Sequence, residues 1–256
     1  MTLRSIGRPF DFAKGVLEDV VEERKLKVPA LKGAWGRYGG ARICVHRIYI
    51  GAPAAAMAME LLIAAGVKKF VLFGGCGAIH PSVRIYDIVI PTWGVREEGT
   101  SYHYLPPDVI PRPSGKAVKT LYEELTPTAQ RLGIALHLGG VWTTDAIFRE
   151  TRDKVERYSS MKVLGVDMES TALMSIAMYR GAELGIALVV TDELHGGKWR
   201  FYQDDDRMAE VERSAVQAAI RALAKIYKDL MRRHPEESWG CRPGTYLLVL
   251  VPIAVA

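Results

Sequence analysis

The stretch from Val163 to Leu194, VLGVDMESTALMSIAMYRGAELGIALVVTDEL, constrains this chain more than any other. An apolar run ends in Asp167-Met168-Glu169-Ser170. A helical pattern follows, with apolar Ala172, Ile176, Ala177 and Tyr179, and a second apolar run from Ile186 to Val190 ends at Thr191-Asp192. The pattern reads as two parallel strands joined by one crossover helix, with Glu169 and Asp192 at the C-terminal ends of the strands. Ligands of open α/β sheets sit along that edge. A packed core has no use for a carboxylate there, because burying one is costly unless it is paired or bound.

The rest of the chain repeats the alternation. Strands are predicted at Arg42–Ile48, Phe70–Phe73, Asp87–Pro91 and Ala135–Thr143, and helices at Pro53–Ala65 and Ser114–Leu132. A long helix from Asp204 to Arg233 carries Met208, Val211, Ala215, Ala219, Leu223 and Ile226 at three- and four-residue steps. Such alternation predicts a single α/β domain over residues 1–256, with a twisted, mixed but mainly parallel central sheet flanked by helices. The loop from Gly94 to Pro113 is long and rich in Pro, Gly and polar residues, as functional loops often are.

Composition excludes several classes. Of 256 residues, 49% are apolar and 25% charged, which fits a globular protein rather than a disordered one. The net charge of +5 suits small anionic ligands, while no RNP motif, zinc-finger spacing or long basic run points to nucleic acid. Cys44, Cys76 and Cys241 are odd in number and widely spaced, which fits a reducing, cytoplasmic setting. The N-terminus lacks the apolar segment of a signal peptide. No histidine spacing suggests a metal, so neither metal nor cofactor is expected. An atypical apolar tail at about 240–256 is far shorter than the ~20 residues that span a bilayer. It reads as a docked terminal strand or an oligomer contact, and membrane partners are not expected.

Gly74-Gly75-Cys76-Gly77-Ala78 follows the strand at Phe70–Phe73. Glycines there let the backbone turn sharply and aim N–H groups at an anion, or simply make a tight turn. Arg96-Glu-Glu-Gly-Thr100-Ser-Tyr-His103-Tyr places hydroxyls, an imidazole and a guanidinium in the long loop.

The DMES segment, the glycine run and the Thr-Asp pair together resemble the nucleoside phosphorylase and nucleosidase superfamily, from about Arg42 to Leu230. The resemblance implies that Glu169 accepts hydrogen bonds from the ribose 2′- and 3′-hydroxyls while Met168 packs on the sugar. An ionised carboxylate suits two vicinal donors. Asp167 or Ser170 is equally able to cap the helix that follows. The resemblance further implies that Asp192 serves N7 of a purine as general acid while the glycosidic bond breaks; its competing role is to cap a short turn. The base would also meet the loop Thr144–Arg152, where Phe148 can stack and Thr144 and Arg152 can hydrogen-bond.

Phosphate, the expected co-substrate, would lie against Gly75, Gly77 and the N-terminal turn at Gly7. The family's Ser/Thr is replaced by Gly75 and its usual arginines are absent. Arg47 is the leading substitute, ahead of Arg8 and Arg96, because anions need bidentate positive charge. The Arg96–Tyr104 loop, with Thr100 and His103 as possible contacts, looks more like uridine enzymes. The implied activity is phosphorolysis of purine nucleosides to free base and ribose 1-phosphate. Uridine phosphorolysis, hydrolysis and non-catalytic nucleoside binding are the alternatives. Family sites often borrow residues from a neighbouring subunit, so a homo-oligomer, dimer or hexamer, is expected.

Overall fold

In the computed structural model, residues 8–23, 32–233 and 247–253 are described. A short helix α1 (Arg8–Lys14) precedes three strands, β1 (Glu18–Glu23), β2 (Lys32–Tyr38) and β3 (Ala41–Tyr49). Helix α2 (Ala52–Ala64) leads to β4 (Lys69–Ala78) and β5 (Ile88–Glu97). Helix α3 (Gly115–Leu132), strand β6 (Leu136–Thr144), helix α4 (Arg152–Ser160) and strand β7 (Val163–Asp167) follow. Helix α5 (Ser170–Arg180), strands β8 (Glu183–Glu193) and β9 (Arg200–Phe201), helix α6 (Asp205–Arg233) and strand β10 (Leu247–Ile253) complete the order.

One sheet runs through all ten strands in the order β1-β2-β3-β10-β4-β7-β6-β5-β8-β9, and β8 also pairs with β4. Strands β4, β7, β6, β5 and β8 therefore close on themselves as a barrel, and β3, β2 and β1 extend it as a wing. The expectation of a mainly parallel sheet is corrected. Pairs β10–β3, β10–β4, β4–β8, β5–β6 and β6–β7 are parallel, while β1–β2, β2–β3, β4–β7, β5–β8 and β8–β9 are antiparallel. A strand buried on both faces is an apolar run whichever way its neighbours point, so composition does not reveal direction.

The same correction applies to the opening motif. β7 and β8 are not neighbouring parallel strands: β4 lies between them, antiparallel to β7 and parallel to β8. They still converge, because Gly77 pairs with Val166 on one side and with Asp192 on the other.

Two cores sandwich the sheet. One packs α1, α3 and α6 against Ile43, Val45, Val71, Phe73, Ala187 and Val189. The other packs α2 and α5 against Cys44, Ile48, Leu72, Cys76, Ile186 and Val190. Helix α5 is buried from Ser170 to Ala177, as its nearly all-round apolar character requires, and stops at Gly181 in the left-handed conformation. The periodic residues Met208 to Ile226 of α6 are all buried, as predicted. Of the apolar tail, residues 247–253 form β10, inserted between β3 and β4; the remainder lies outside the described residues. No described helix is long and apolar enough to cross a membrane.

Candidate active site

The glycine run does not turn. β4 continues through Gly74–Ala78, with none of these glycines at positive φ. Small side chains are needed there for close approach instead. A Cβ on Gly77 would collide with Leu194 Cδ1 and come within 2.9 Å of Asp192 Oδ2. Gly75 is exposed and Gly74 half-buried in the middle of an otherwise buried strand.

A bulge decides where Asp192 points. Cys76 pairs with Val190, but the next residue, Gly77, pairs with Asp192, so Thr191 is extra. Laddered partners share a face, and a one-residue offset reverses which side chains face it. Asp192 therefore joins Gly77 and Gly75 on the face of Val71 and Phe73; a regular ladder would turn it to the opposite face. Arg47 occupies that face as well, in alternation with Ile43 and Val45, with its guanidinium 5.7 Å from the centre of the Phe10 ring of α1.

Asp192 is held from two sides. Thr191 Oγ1 donates to Oδ1 at 2.7 Å, and the indole N–H of Trp199 donates to Oδ2 at 2.6 Å. Burial pushes the Asp192 carboxyl above its ordinary range, and both hydrogen bonds pull it back. Trp199 also packs on Phe201, with ring centres 4.7 Å apart, and β9 ties that strap to Asp192 and Glu193.

The DMES residues divide their work. Asp167 caps α5: its Oδ2 accepts from Ser170 N at 3.0 Å and Ser170 Oγ at 2.5 Å, and its Oδ1 from Thr143 Oγ1 at 2.7 Å. Glu169 is thereby released from capping and accepts from the Gly51 N–H at 2.6 Å through Oε1. Gly51 opens α2 at φ 103, a conformation natural to glycine. Burial, followed by the nearby Asp167 charge, pushes the Glu169 carboxyl well up. Met168 is half-buried beside it. Behind α5 lies a third acid, Glu98, which accepts from Thr171 Oγ1 and the Ser101 N–H, both at 2.9 Å. Burial, then the charges of Asp167 and Asp192, push the Cys76 thiol up.

The other predicted residues separate into groups. Phe148 is 88% exposed and, with Arg152, Glu150 and Trp199, lines a cavity of about 510 Å³. Arg152 pairs with Glu156 one helical turn on, at 2.7 Å. Thr144 is buried and its Oγ1 accepts from the Ala146 N–H, which shapes the loop. Thr100 and His103 line a second cavity with Pro53, Met57 and Asp145. Arg96 holds its loop together: it donates to Ser101 Oγ and to the carbonyls of Leu105, Pro106 and Val109, and stacks 3.9 Å over Tyr102. Arg8 pairs with Asp205 and Glu212 on α6. Gly7 lies outside the described residues. Sequence reasoning overlooked Trp199, Glu98 and Glu150. Trp199 had one available signal, an aromatic just beyond Gly196-Gly197 and seven residues after Asp192.

This arrangement has counterparts. Residues 12–228 match the phosphorylase superfamily. The chain is 29% identical over 184 residues to a guanosine phosphorylase of Halorubrum lacusprofundi, covering 72% of this chain and 75% of that one. It is 28% identical over 212 residues to a DeoD-type purine nucleoside phosphorylase of Bacillus cytotoxicus, covering 82% and 88%. A DeoD-type enzyme of Caldanaerobacter subterraneus is 28% identical over 190 residues, covering 73% and 80%. With most of its length matched and two acid-bearing strand ends converging on a glycine strand, the chain belongs to the phosphorylase superfamily.

Proposed function

We propose that this enzyme cleaves purine nucleosides with phosphate, yielding free base and ribose 1-phosphate, without a cofactor. The observation that carries the reading is the bulge at Thr191, which turns a half-buried Asp192, its pKa raised by burial, onto the same face as Gly75, Gly77 and Arg47. An acid there can donate to N7 as electrons flow into the leaving purine. Glu169, set apart from capping, accepts from the ribose hydroxyls, and Met168 covers the sugar. Phosphate lies over exposed Gly75 and attacks C1′, with Arg47 swinging from Phe10 to pair with it. Relatives bearing the names guanosine phosphorylase and purine nucleoside phosphorylase support the purine assignment.

The same reading covers assembly and location. Exposed Tyr49, Ile50, Met57, Leu61, Met178 and Tyr179 lie on or beside the packed pair α2 and α5, a surface suited to a second copy of the chain in a cytoplasmic homo-oligomer.

Replacement of Asp192 tests the chemistry. Asp192→Asn should lower purine turnover by about 10²–10⁴-fold. Unimpaired purine cleavage by this variant would remove Asp192 from the reaction.

A further inference from the structure

Glu98 is a buried acid to which the reaction as described gives no task. It follows β5 directly and forms no ion pair among the described residues. Its oxygens are taken by two neutral donors, Thr171 Oγ1 on Oε1 and the Ser101 N–H on Oε2, both at 2.9 Å. Burying a carboxylate on neutral donors alone costs stability. In exchange, a fully bonded buried network fixes the groups that donate to it.

Both donors belong to segments that frame Glu169. Thr171 lies in the first turn of α5, two residues beyond Glu169. Its N–H donates to Thr143 Oγ1 at 3.0 Å, and Thr143 donates in turn to Asp167, the cap of the same helix. Its methyl group packs where a Cβ on Gly94 of β5 would collide with it. Both branches of this stiff side chain are therefore held. Ser101 lies in the 3₁₀ turn Thr100–His103, which packs on α2 as well as α5. Arg96 anchors that turn through Ser101 Oγ and fixes the rest of the loop through three carbonyls. A line of contacts thus runs from Arg96 through Ser101, Glu98, Thr171 and Thr143 to Asp167.

At the site, the bond from the Gly51 N–H to Glu169 joins the starts of α2 and α5. Behind the site, the loop that carries Glu98 joins the same two helices a second time. One joint lets two helices pivot, whereas two joints fix their relative placement. The Glu169 carboxyl is shifted by burial and by Asp167, so Glu98 acts on it through packing rather than charge. We propose that Glu98 is a positioning residue for the ribose site: through Thr171 it holds the start of α5 so that the Glu169 carboxylate meets the 2′- and 3′-hydroxyls. The inference rests on Glu169 holding the ribose.

The test reads the ratio of kcat/KM on a purine ribonucleoside to that on its 2′-deoxy counterpart, with Glu169→Gln as the reference. Glu98→Ala and Thr171→Val remove the acceptor and the donor of one bond. Each should lower the ratio about threefold to tenfold, and the double variant should lower it no further than either alone. Glu98→Gln can accept from the Ser101 N–H and donate to Thr171 Oγ1, and Thr171→Ser keeps the hydroxyl, so both should retain the wild-type ratio. Should Glu98→Ala fail to fold, the near-isosteric Thr171→Val and its Thr171→Ser control decide alone. A merely structural role would lower activity on both sugars alike. That result, or a ratio lost as fully in the Gln and Ser variants, overturns the assignment of Glu98 while leaving Glu169 on the ribose. If Glu169→Gln itself leaves the ratio unchanged, the ribose reading fails and the assignment fails with it.

Discussion

The backbone N–H of Gly51 donates to Glu169 Oε1 at 2.6 Å across 118 residues of chain. The bond joins the start of α2 to the start of α5 and fixes a carboxylate that α5 does not need for its cap, because Asp167 already supplies one. A buried acid held by backbone donors alone keeps lone pairs for further donors. Vicinal ribose hydroxyls are such donors.

Replacing Glu169 with Gln should therefore weaken ribose recognition without unfolding the protein. Ribose hydroxyls donating to Glu169 favour its ionised form over the protonated form that burial favours without substrate, and a hydrogen bond to a charged group contributes about 1.5–3 kcal/mol, so kcat/KM on ribonucleosides should drop about 10- to 100-fold. The loss should be smaller on 2′-deoxyribonucleosides, which offer one hydroxyl fewer. Equal behaviour of wild type and variant on both sugars would sever Glu169 from the ribose.

The same residue carries a pH signature in stability. Its folded pKa is raised, to about 8, by burial and by Asp167. Between the ordinary carboxylate range and that value, the folded state binds more protons than the unfolded one, so stability falls as pH rises through this window. Glu169→Gln removes that part of the dependence. The Tm of the variant should gain on wild type between pH 5 and pH 9; parallel curves would contradict the raised pKa.

Part of the candidate site's placement is legible in the sequence. Met168 and Glu169 lie just beyond the end of β7 and Asp192 near the end of β8, where the apolar runs stop, and Phe148 lies in the loop after β6. Less was legible about direction and register. The apolar runs at 163–167 and 186–190 look alike whether parallel or not, and the β4 glycines look like a turn because a glycine needed for close approach has the same letter as one needed for positive φ. The bulge at Thr191 has no sequence mark. Nor did the sequence indicate that Arg96 would spend its donors on three carbonyls, since a loop arginine that binds anions reads the same as one that binds its own backbone.

Trp199 is a positioning residue for Asp192. Its hydrogen bond holds the Asp192 pKa down against burial. Trp199→Phe should let that pKa rise, so the alkaline limb of kcat for purines should move upward by as much as about one pH unit. A merely structural role would lower activity without moving the limb. A pH–rate profile of the variant against wild type distinguishes the two.

Gly77 should tolerate no side chain. In Gly77→Ala the new methyl meets Leu194 and the Asp192 carboxylate, so Asp192 must shift and purine turnover should fall at least about tenfold, since displacement of a catalytic group by about 1 Å costs that much or more. Gly115→Ala, where a Cβ meets nothing within 4 Å, is the matched control and should be silent. If Gly77→Ala keeps full activity with Asp192 unmoved, the close approach is not part of the site.

The central claim is phosphorolysis of purine nucleosides, and product analysis tests it most directly. Guanosine, inosine, adenosine and uridine are incubated with the wild-type protein, with and without inorganic phosphate, and free base, ribose and ribose 1-phosphate are quantified. The expected result is purine base and ribose 1-phosphate in equal amounts, only when phosphate is present, with uridine cleaved far more slowly. Release of free ribose without phosphate, or cleavage confined to uridine, would contradict it.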